Sequence, residues 1–224
     1  MSQTPPAAAP ADDPIETLGA IGVIPVVVID DAATAAPLAE ALLAGGIRAA
    51  EVTLRTPAAM AALEIMAGYS GFLAGAGTLL DPGQAASAAD AGACFAVSPG
   101  FDPRVVDACQ ACSLPVMPGA ATASEVQQVR RAGLTVCKFF PAETAGGLPM
   151  LAALSAPFQE MRFMPTGGIG PANTGNYLRS PFVHAIGGTW MAARALIAGC
   201  EWDRIRALAA EAAAVAAEAR QAIR

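Results

Sequence analysis

Eight short apolar, β-branched runs recur along the chain, separated by alanine-rich stretches with helical spacing. The runs are VIPVVVI (23–29), AAEVTL (49–54), FLAGAGTL (72–79), CFAVSP (94–99), LPVMPGA (114–120), LTVCKFFP (134–141), MRFMPTGG (161–168) and FVHAIGGT (182–189). Each predicts a strand, and segments such as AATAAPLAEALLAGG, PAAMAALEIMAG and SEVQQVRRAG between them predict helices. Gly45–Gly46, Gly68, Gly92 and Gly133 stand where helix C-caps belong. Asp81-Pro82 and Asp102-Pro103 read as an N-cap followed by proline in the first turn. The closing EWDRIRALAAEAAAVAAEARQAIR predicts a long helix, with Arg204, Arg206, Glu211, Glu218 and Arg220 on solvated faces.

Eight strand–helix alternations predict an α/β protein, a single-domain (β/α)8 TIM barrel over residues 14–224 with an N-terminal arm or helix and a C-terminal helix. Residues 1–13 are rich in Ala and Pro and predict a flexible arm. A doubly wound sheet fits less well, because no G-x-G-x-x-G follows the first strand. Gly75-Ala76-Gly77 begins that pattern, but Leu80 occupies the third glycine position; close packing at a strand end explains the pair better.

Composition removes several functions. The chain has 224 residues, 54% hydrophobic and 14% charged, which is incompatible with wholesale disorder. No apolar run approaches the roughly 20 residues of a membrane span. Met1 to Pro14 lacks a basic start and an apolar segment, so the expectation is a soluble, cytoplasmic protein. A net charge of −6 argues against nucleic acid as a partner.

Cys109 and Cys112 form a C-x-x-C that reads as small apolar residues on a helix, with no second pair for a zinc site. Five cysteines without a secretion signal predict no disulfide framework. His184, the single histidine, sits in FVHAIGG and predicts a core or barrel-filling role. Lysine is scarcer still relative to its neighbours in charge: twelve of the thirteen basic residues are arginine, and the one lysine is Lys138, inside an apolar strand. Arginine does not give up its proton, whereas a lysine in an apolar setting can act as an amine nucleophile. A buried lysine paired with a carboxylate explains the same local sequence equally well.

In a barrel, catalytic groups gather at the C-terminal ends of strands. Period-2 alternation puts Glu51, Thr53 and Arg55 on one face of strand 2; if that face is the barrel interior, the acid and the guanidinium point toward the same centre as Lys138, and a structural Glu–Arg ion pair explains that strand alone equally well. Thr78 ends strand 3. Strands 7 and 8 end in Thr166-Gly167-Gly168 and Gly187-Gly188-Thr189, where glycine lets backbone N–H groups approach a phosphate.

These residues bring the sequence close to a known family. GGIRAAEVTLRTPAA (45–59), AGAGTLLDPGQ (74–84), FAVSPGF (95–101), MPGAATASEV (117–126), VCKFFPAETAGG (136–147), RFMPTGGIGPAN (162–173) and AIGGTW (185–190) resemble, in order, the KDPG/KHG aldolases, class I pyruvate aldolases of the Entner–Doudoroff pathway. The resemblance implies a carbon–carbon lyase that cleaves 2-dehydro-3-deoxy-6-phosphogluconate to pyruvate and glyceraldehyde 3-phosphate. It implies Lys138 as the Schiff-base residue and Glu51 as the general acid/base. Arg55 and Thr78 would hold the pyruvyl carboxylate, and Pro99, Phe140 and Thr166 would line its pocket. Gly167, Gly168, Gly188 and Thr189 would bind phosphate; Thr189 stands where many relatives carry serine. No cofactor or metal is implied, since the lysine imine is the electron sink. The implied partner is a small keto-acid phosphate, with a homotrimeric assembly. Within the class, 4-hydroxy-2-oxoglutarate and 2-dehydro-3-deoxy-6-phosphogalactonate are the alternative substrates. A phosphate-binding barrel isomerase leaves the single lysine unexplained, and a non-catalytic sugar-phosphate binder has no need to retain Glu51, Arg55 and Lys138 together.

Overall fold

The computed structural model describes residues 13–222, so all of the expected arm except Asp13 lies outside the described residues. Asp13 itself caps the first helix: its carboxylate accepts from the Ile15 amide at 2.9 Å, with Pro14 in the first turn. The chain then alternates α1 (Pro14–Ile21), β1 (Val23–Val27), α2 (Ala35–Ala44), β2 (Ala49–Thr53), α3 (Ala59–Ala67), β3 (Leu73–Gly77), α4 (Pro82–Asp90), β4 (Phe95–Val97) and α5 (Pro103–Ala111). It continues through β5 (Val116–Met117), α6 (Ala123–Arg131), β6 (Val136–Phe139), α7 (Gly147–Ser155), β7 (Arg162–Pro165), α8 (Pro171–Leu178), β8 (Ile186–Gly188), α9 (Arg194–Ala198) and α10 (Trp202–Gln221). The expected caps form. Asp81 accepts from Gly83 N at 2.7 Å and Asp102 from Arg104 N at 2.9 Å, while Gly46, Gly92 and Gly133 take left-handed φ values just after their helices.

All strand pairs are parallel. Six strands form one sheet in the order β5-β4-β3-β2-β1-β8, and β6 pairs with β7. Sequence neighbours lie side by side and β1 lies beside β8, so the sheet curls on itself and has no doubly wound switch point. The eight strands are shorter than their apolar runs, and no ladder joins β5 to β6 or β7 to β8. At the two seams only isolated bridges are present: Gly119 with Lys138, then Phe163 with Val183 and Thr166 with Gly187. Proline is the physical reason at hand. Pro115 and Pro118 flank the two residues of β5, and Pro165 ends β7; none has an N–H to give a ladder.

Alternation along each strand divides the core into two layers. Val23, Val27, Val52, Cys137, Phe139 and Phe163 face the helices, while Ile24, Phe95, Val97, Met117, Val136 and Met164 pack together on the inner side of the curled strands. Leu18 of α1 joins this inner cluster from the N-terminal end. Gly75 supplies the room for the Phe95 ring, because a Cβ there would lie 2.2 Å from it. The paired glycines of strand 3 are thus packing devices, as expected.

Two expectations change at that lower end. His184 is half-buried rather than a barrel filler: its Nε2 lies 2.7 Å from the Ile15 carbonyl oxygen, and its ring lies against Gly19, fastening α1 to the segment before β8. Arg220 does not stand on a solvated face either; its Nη2 donates to the His184 carbonyl at 3.1 Å. A long helix packed on its neighbours turns one flank of its last turn inward, and the arginine stem follows it.

Candidate active site

β2 and β6 each send one ionisable side chain inward. On β6, Cys137 and Phe139 pack outward, so Val136 and Lys138 face the interior; on β2, Glu51 does the same. Lys138 Nζ donates to Glu51 Oε1 at 3.0 Å and lies 3.4 Å from Oε2. Glu51 is fully buried and Lys138 is 5% exposed. Two charges taken out of water to this degree need each other, since either alone faces a desolvation cost of several kcal/mol, about 3–5 when one partner is removed. The ammonium also lies 5.4 Å from the centroid of the Phe140 ring. Gly77, on neighbouring β3, makes the pair possible: a Cβ there would lie 2.4 Å from Glu51 Oε1.

Above the pair opens a cleft of about 380 Å³ at the C-terminal ends of the strands. It brings together every residue singled out from the sequence: Glu51, Arg55, Thr78, Pro99, Lys138, Phe140, Thr166, Gly167, Gly168, Gly188 and Thr189. Val26 and Ile169 also line it and were not expected, because an apolar residue beside a site carries the same sequence signal as one in the core. Gly187 lines it too; a side chain there would meet Thr166 Oγ1 at 2.3 Å, so its absence gives Thr166 its place.

Arg55 departs from the expected strand alternation. β2 ends at Thr53, the Arg55 amide turns back to the Thr53 carbonyl at 2.7 Å, and the arginine is exposed at the mouth of the cleft. It makes no ion pair with Glu51; among the described residues that carboxylate pairs with Lys138. Thr53 reaches the cleft wall, but its hydroxyl donates to the Val27 carbonyl at 2.8 Å and serves the sheet. Thr78 has a φ of 62°, a strained setting for a β-branched residue that turns the chain sharply at the cleft edge.

The turn after β7 is built to leave amides free. Gly167 and Gly168 have φ values of 101° and 79°. Glu143 N–H donates to the Gly167 carbonyl at 3.0 Å, and Asn173 Nδ2 to the Gly168 carbonyl at 3.2 Å. In a planar trans peptide the N–H lies opposite the carbonyl, so the amides of Gly168 and Ile169 point away from those anchors. Among the described residues neither amide donates to a protein acceptor, and both residues line the cleft. Such a backbone concavity suits an anion.

The C-x-x-C stands apart, at the C-terminal end of α5. Cys109 is buried, its thiol pushed up to about 11 chiefly by desolvation, and Cys112 Sγ donates to the Ala108 carbonyl at 3.2 Å. Among the described residues no cluster of three or more His, Cys, Asp or Glu side chains is arranged to hold a metal, and no helix is long and apolar enough to cross a membrane.

A model of the KDPG and KHG aldolase family matches residues 15–208. The chain belongs to that family. A 2-dehydro-3-deoxy-phosphogluconate aldolase of Treponema pallidum is 46% identical over 194 residues, 86% of this chain and 92% of its own. The Zymomonas mobilis ZM4 2-keto-3-deoxy-6-phosphogluconate aldolase with 3-phosphoglycerate superposes with a TM-score of 0.84 at 41% identity, covering 92% of this chain and 97% of that one. The Legionella pneumophila KDPG aldolase, with pyruvate captured as a covalent carbinolamine, gives a TM-score of 0.84 at 43% identity and covers 88% and 96%. This KDPG/KHG aldolase family member therefore shares its fold with enzymes solved with pyruvate or a phosphorylated acid bound.

Proposed function

We propose that the protein is a class I pyruvate aldolase that cleaves 2-dehydro-3-deoxy-6-phosphogluconate to pyruvate and glyceraldehyde 3-phosphate. The observation that carries this reading is the buried Lys138–Glu51 pair at the floor of the cleft. Lys138 is the nucleophile. Glu51, at 3.0 Å, takes the ammonium proton, and the free amine adds to the C2 carbonyl to give a carbinolamine. Glu51 returns the proton as water leaves, giving a protonated imine. A base then removes the C4 hydroxyl proton, the C3–C4 bond breaks, its electron pair moves into the imine to form an enamine, and the aldehyde departs. Protonation at C3 and hydrolysis release pyruvate and restore the amine. The lysine imine itself is the electron sink, so this sequence of steps uses no metal or added cofactor.

Arg55 and Thr78 at the mouth hold the pyruvyl carboxylate in this reading, and Pro99, Phe140 and Thr166 enclose the methyl-ketone end. The free amides of Gly168 and Ile169, with Gly167, Gly188 and Thr189, receive the phosphate. That contact acts far from the reacting carbons and aligns C3–C4 with the imine. The Zymomonas relative holding 3-phosphoglycerate supports a phosphate-accepting cleft. The family description and the same pyruvyl half-site leave 4-hydroxy-2-oxoglutarate as the second substrate to assay, and the phosphogalactonate epimer as the third.

We also read the curled sheet as a complete eight-stranded (β/α)8 barrel forming one domain from residue 14 onward, supported by the bridges at both seams and the shared inner core. The assembly is a homotrimer in this reading, as the family resemblance implies; sedimentation checks it. We also infer a cytoplasmic location, which fits a metabolic aldolase.

Borohydride reduction with pyruvate, followed by peptide mass mapping, tests the chemistry. The expected result is a pyruvyl adduct on Lys138 that is absent from Lys138→Ala. A folded wild-type protein that traps no pyruvate overturns the Schiff-base reading.

A further inference from the structure

Glu143 follows Lys138 by five residues, in the loop after β6, and takes no part in the steps above. It is exposed, yet its carboxylate accepts a hydrogen bond from the phenol of Tyr177 on α8, a side chain only 2% exposed. Desolvation first, and the neighbouring carboxylate second, push the Tyr177 phenol up, so it remains a donor at any working pH. The rest of Glu143 lies on the turn after β7. Its amide holds the Gly167 carbonyl at 3.0 Å, and its stem packs so closely on Gly168 that a Cβ there would lie 2.6 Å from Glu143 Cβ. One residue thus fixes both the orientation of the Gly167–Gly168 peptide and the outer wall of the turn, and Tyr177 fixes that residue.

We propose that Glu143 and Tyr177 are positioning residues for the substrate phosphate, holding the Gly167–Gly168 turn with the Gly168 and Ile169 amides presented to the cleft. This rests on the aldolase reading and deepens it: the pair sets the preference for a phosphorylated aldehyde half over an uncharged one. Without it the glycines, free to take either sign of φ, lose the single arrangement in which the two amides converge. The carboxylate acts by accepting a hydrogen bond from the phenol and by packing, and its charge is not needed. Glutamine therefore replaces it; alanine does not.

The test compares Tyr177→Phe, Glu143→Ala and Glu143→Gln. For 2-dehydro-3-deoxy-6-phosphogluconate, Tyr177→Phe and Glu143→Ala are expected to raise KM about tenfold, the scale of a lost hydrogen bond. Their kcat is expected to stay within about twofold of wild type, as for a loss of uniform binding. Glu143→Gln restores KM, and borohydride trapping of pyruvate on Lys138 is equal in all four proteins. A second readout needs no turnover: inorganic phosphate titrated against the Gly168 and Ile169 amide resonances binds about tenfold more weakly in Tyr177→Phe. An unchanged KM, a fall of kcat and trapping together with KM, no rescue by glutamine, or no response of those amides to phosphate would each overturn the proposal. Absence of pyruvate trapping in the wild type instead overturns the aldolase reading, and the phosphate titration still decides the role of the pair.

Discussion

Lys138 Nζ and Glu51 Oε1 meet at 3.0 Å although 87 residues separate them along the chain. β2 lies in the six-stranded sheet and β6 pairs with β7, so the contact spans two sheets and depends on the curl that turns their inner faces toward each other. A lysine on a flat sheet at that distance in sequence would have no such partner.

The pair is expected to be coupled in stability. Lys138→Ala or Glu51→Ala leaves one charge buried alone, at a cost of about 3–5 kcal/mol. The double variant Glu51→Gln/Lys138→Met, which removes both charges, is expected to be more stable than either single alanine variant. Urea denaturation of the four proteins reads this directly; a double variant no more stable than the single alanine variants would mean that neither charge depends on the other. In turnover, Glu51→Gln is expected to slow the reaction by about 10²–10⁴-fold, the scale of a lost acid/base.

Gly77→Ala puts a methyl group where Glu51 Oε1 and Cγ now lie, both 2.4 Å from the added carbon. The carboxylate must leave its place under Lys138. The expected outcome is loss of most activity with a stability cost of about 1–3 kcal/mol, as for overpacking. Gly71→Ala is a poor control because its φ is 76°, but Gly100→Ala meets nothing within 4 Å and is expected to behave as wild type in both assays.

The buried thiols predict an alkaline limit to stability. Burial pushes Cys137 up to about 12 and Cys109 up to about 11, from an ordinary value of 9.0. Between the unfolded and folded values the unfolded chain has lost protons that the native one keeps, so stability falls as pH rises from about 9 toward 12. Below that window these thiols contribute no pH dependence. Denaturation midpoints between pH 8 and about 10.5 check the sign, and the slope is expected to flatten in Cys137→Ala. Alkylation followed by mass mapping gives a second check: Cys200, exposed, reacts first, and Cys137 reacts only on unfolding.

Much of the site was legible before any fold was known, and the reasons lie in particular residues. Lys138 was conspicuous because arginine serves every other basic position, and the glycines after strands 7 and 8 stood where backbone must approach an anion. Arg55 reaches the cleft as expected but from the turn beyond the strand, because alternation holds only while the strand lasts and β2 stops at Thr53. His184 was assigned to the interior from its apolar neighbours, yet its partner is the Ile15 carbonyl, 169 residues away. Glu143 lies within the VCKFFPAETAGG block, yet nothing local links it to Tyr177, since a polar residue in a loop and an aromatic residue on a helix are each ordinary alone.

The amino-acid sequence alone determined the alternation of eight strands and their helices, the caps that end those helices and the chemical type of each inward residue, because these depend on neighbours within one turn or one strand. Only the tertiary structure decided that Gly77 gives its space to Glu51, that Gly187 gives its space to Thr166, and that the carbonyls of Gly167 and Gly168 are drawn outward. Those facts depend on register between strands and on which loop lies over which. Curling of the sheet sets both, and no local pattern records it.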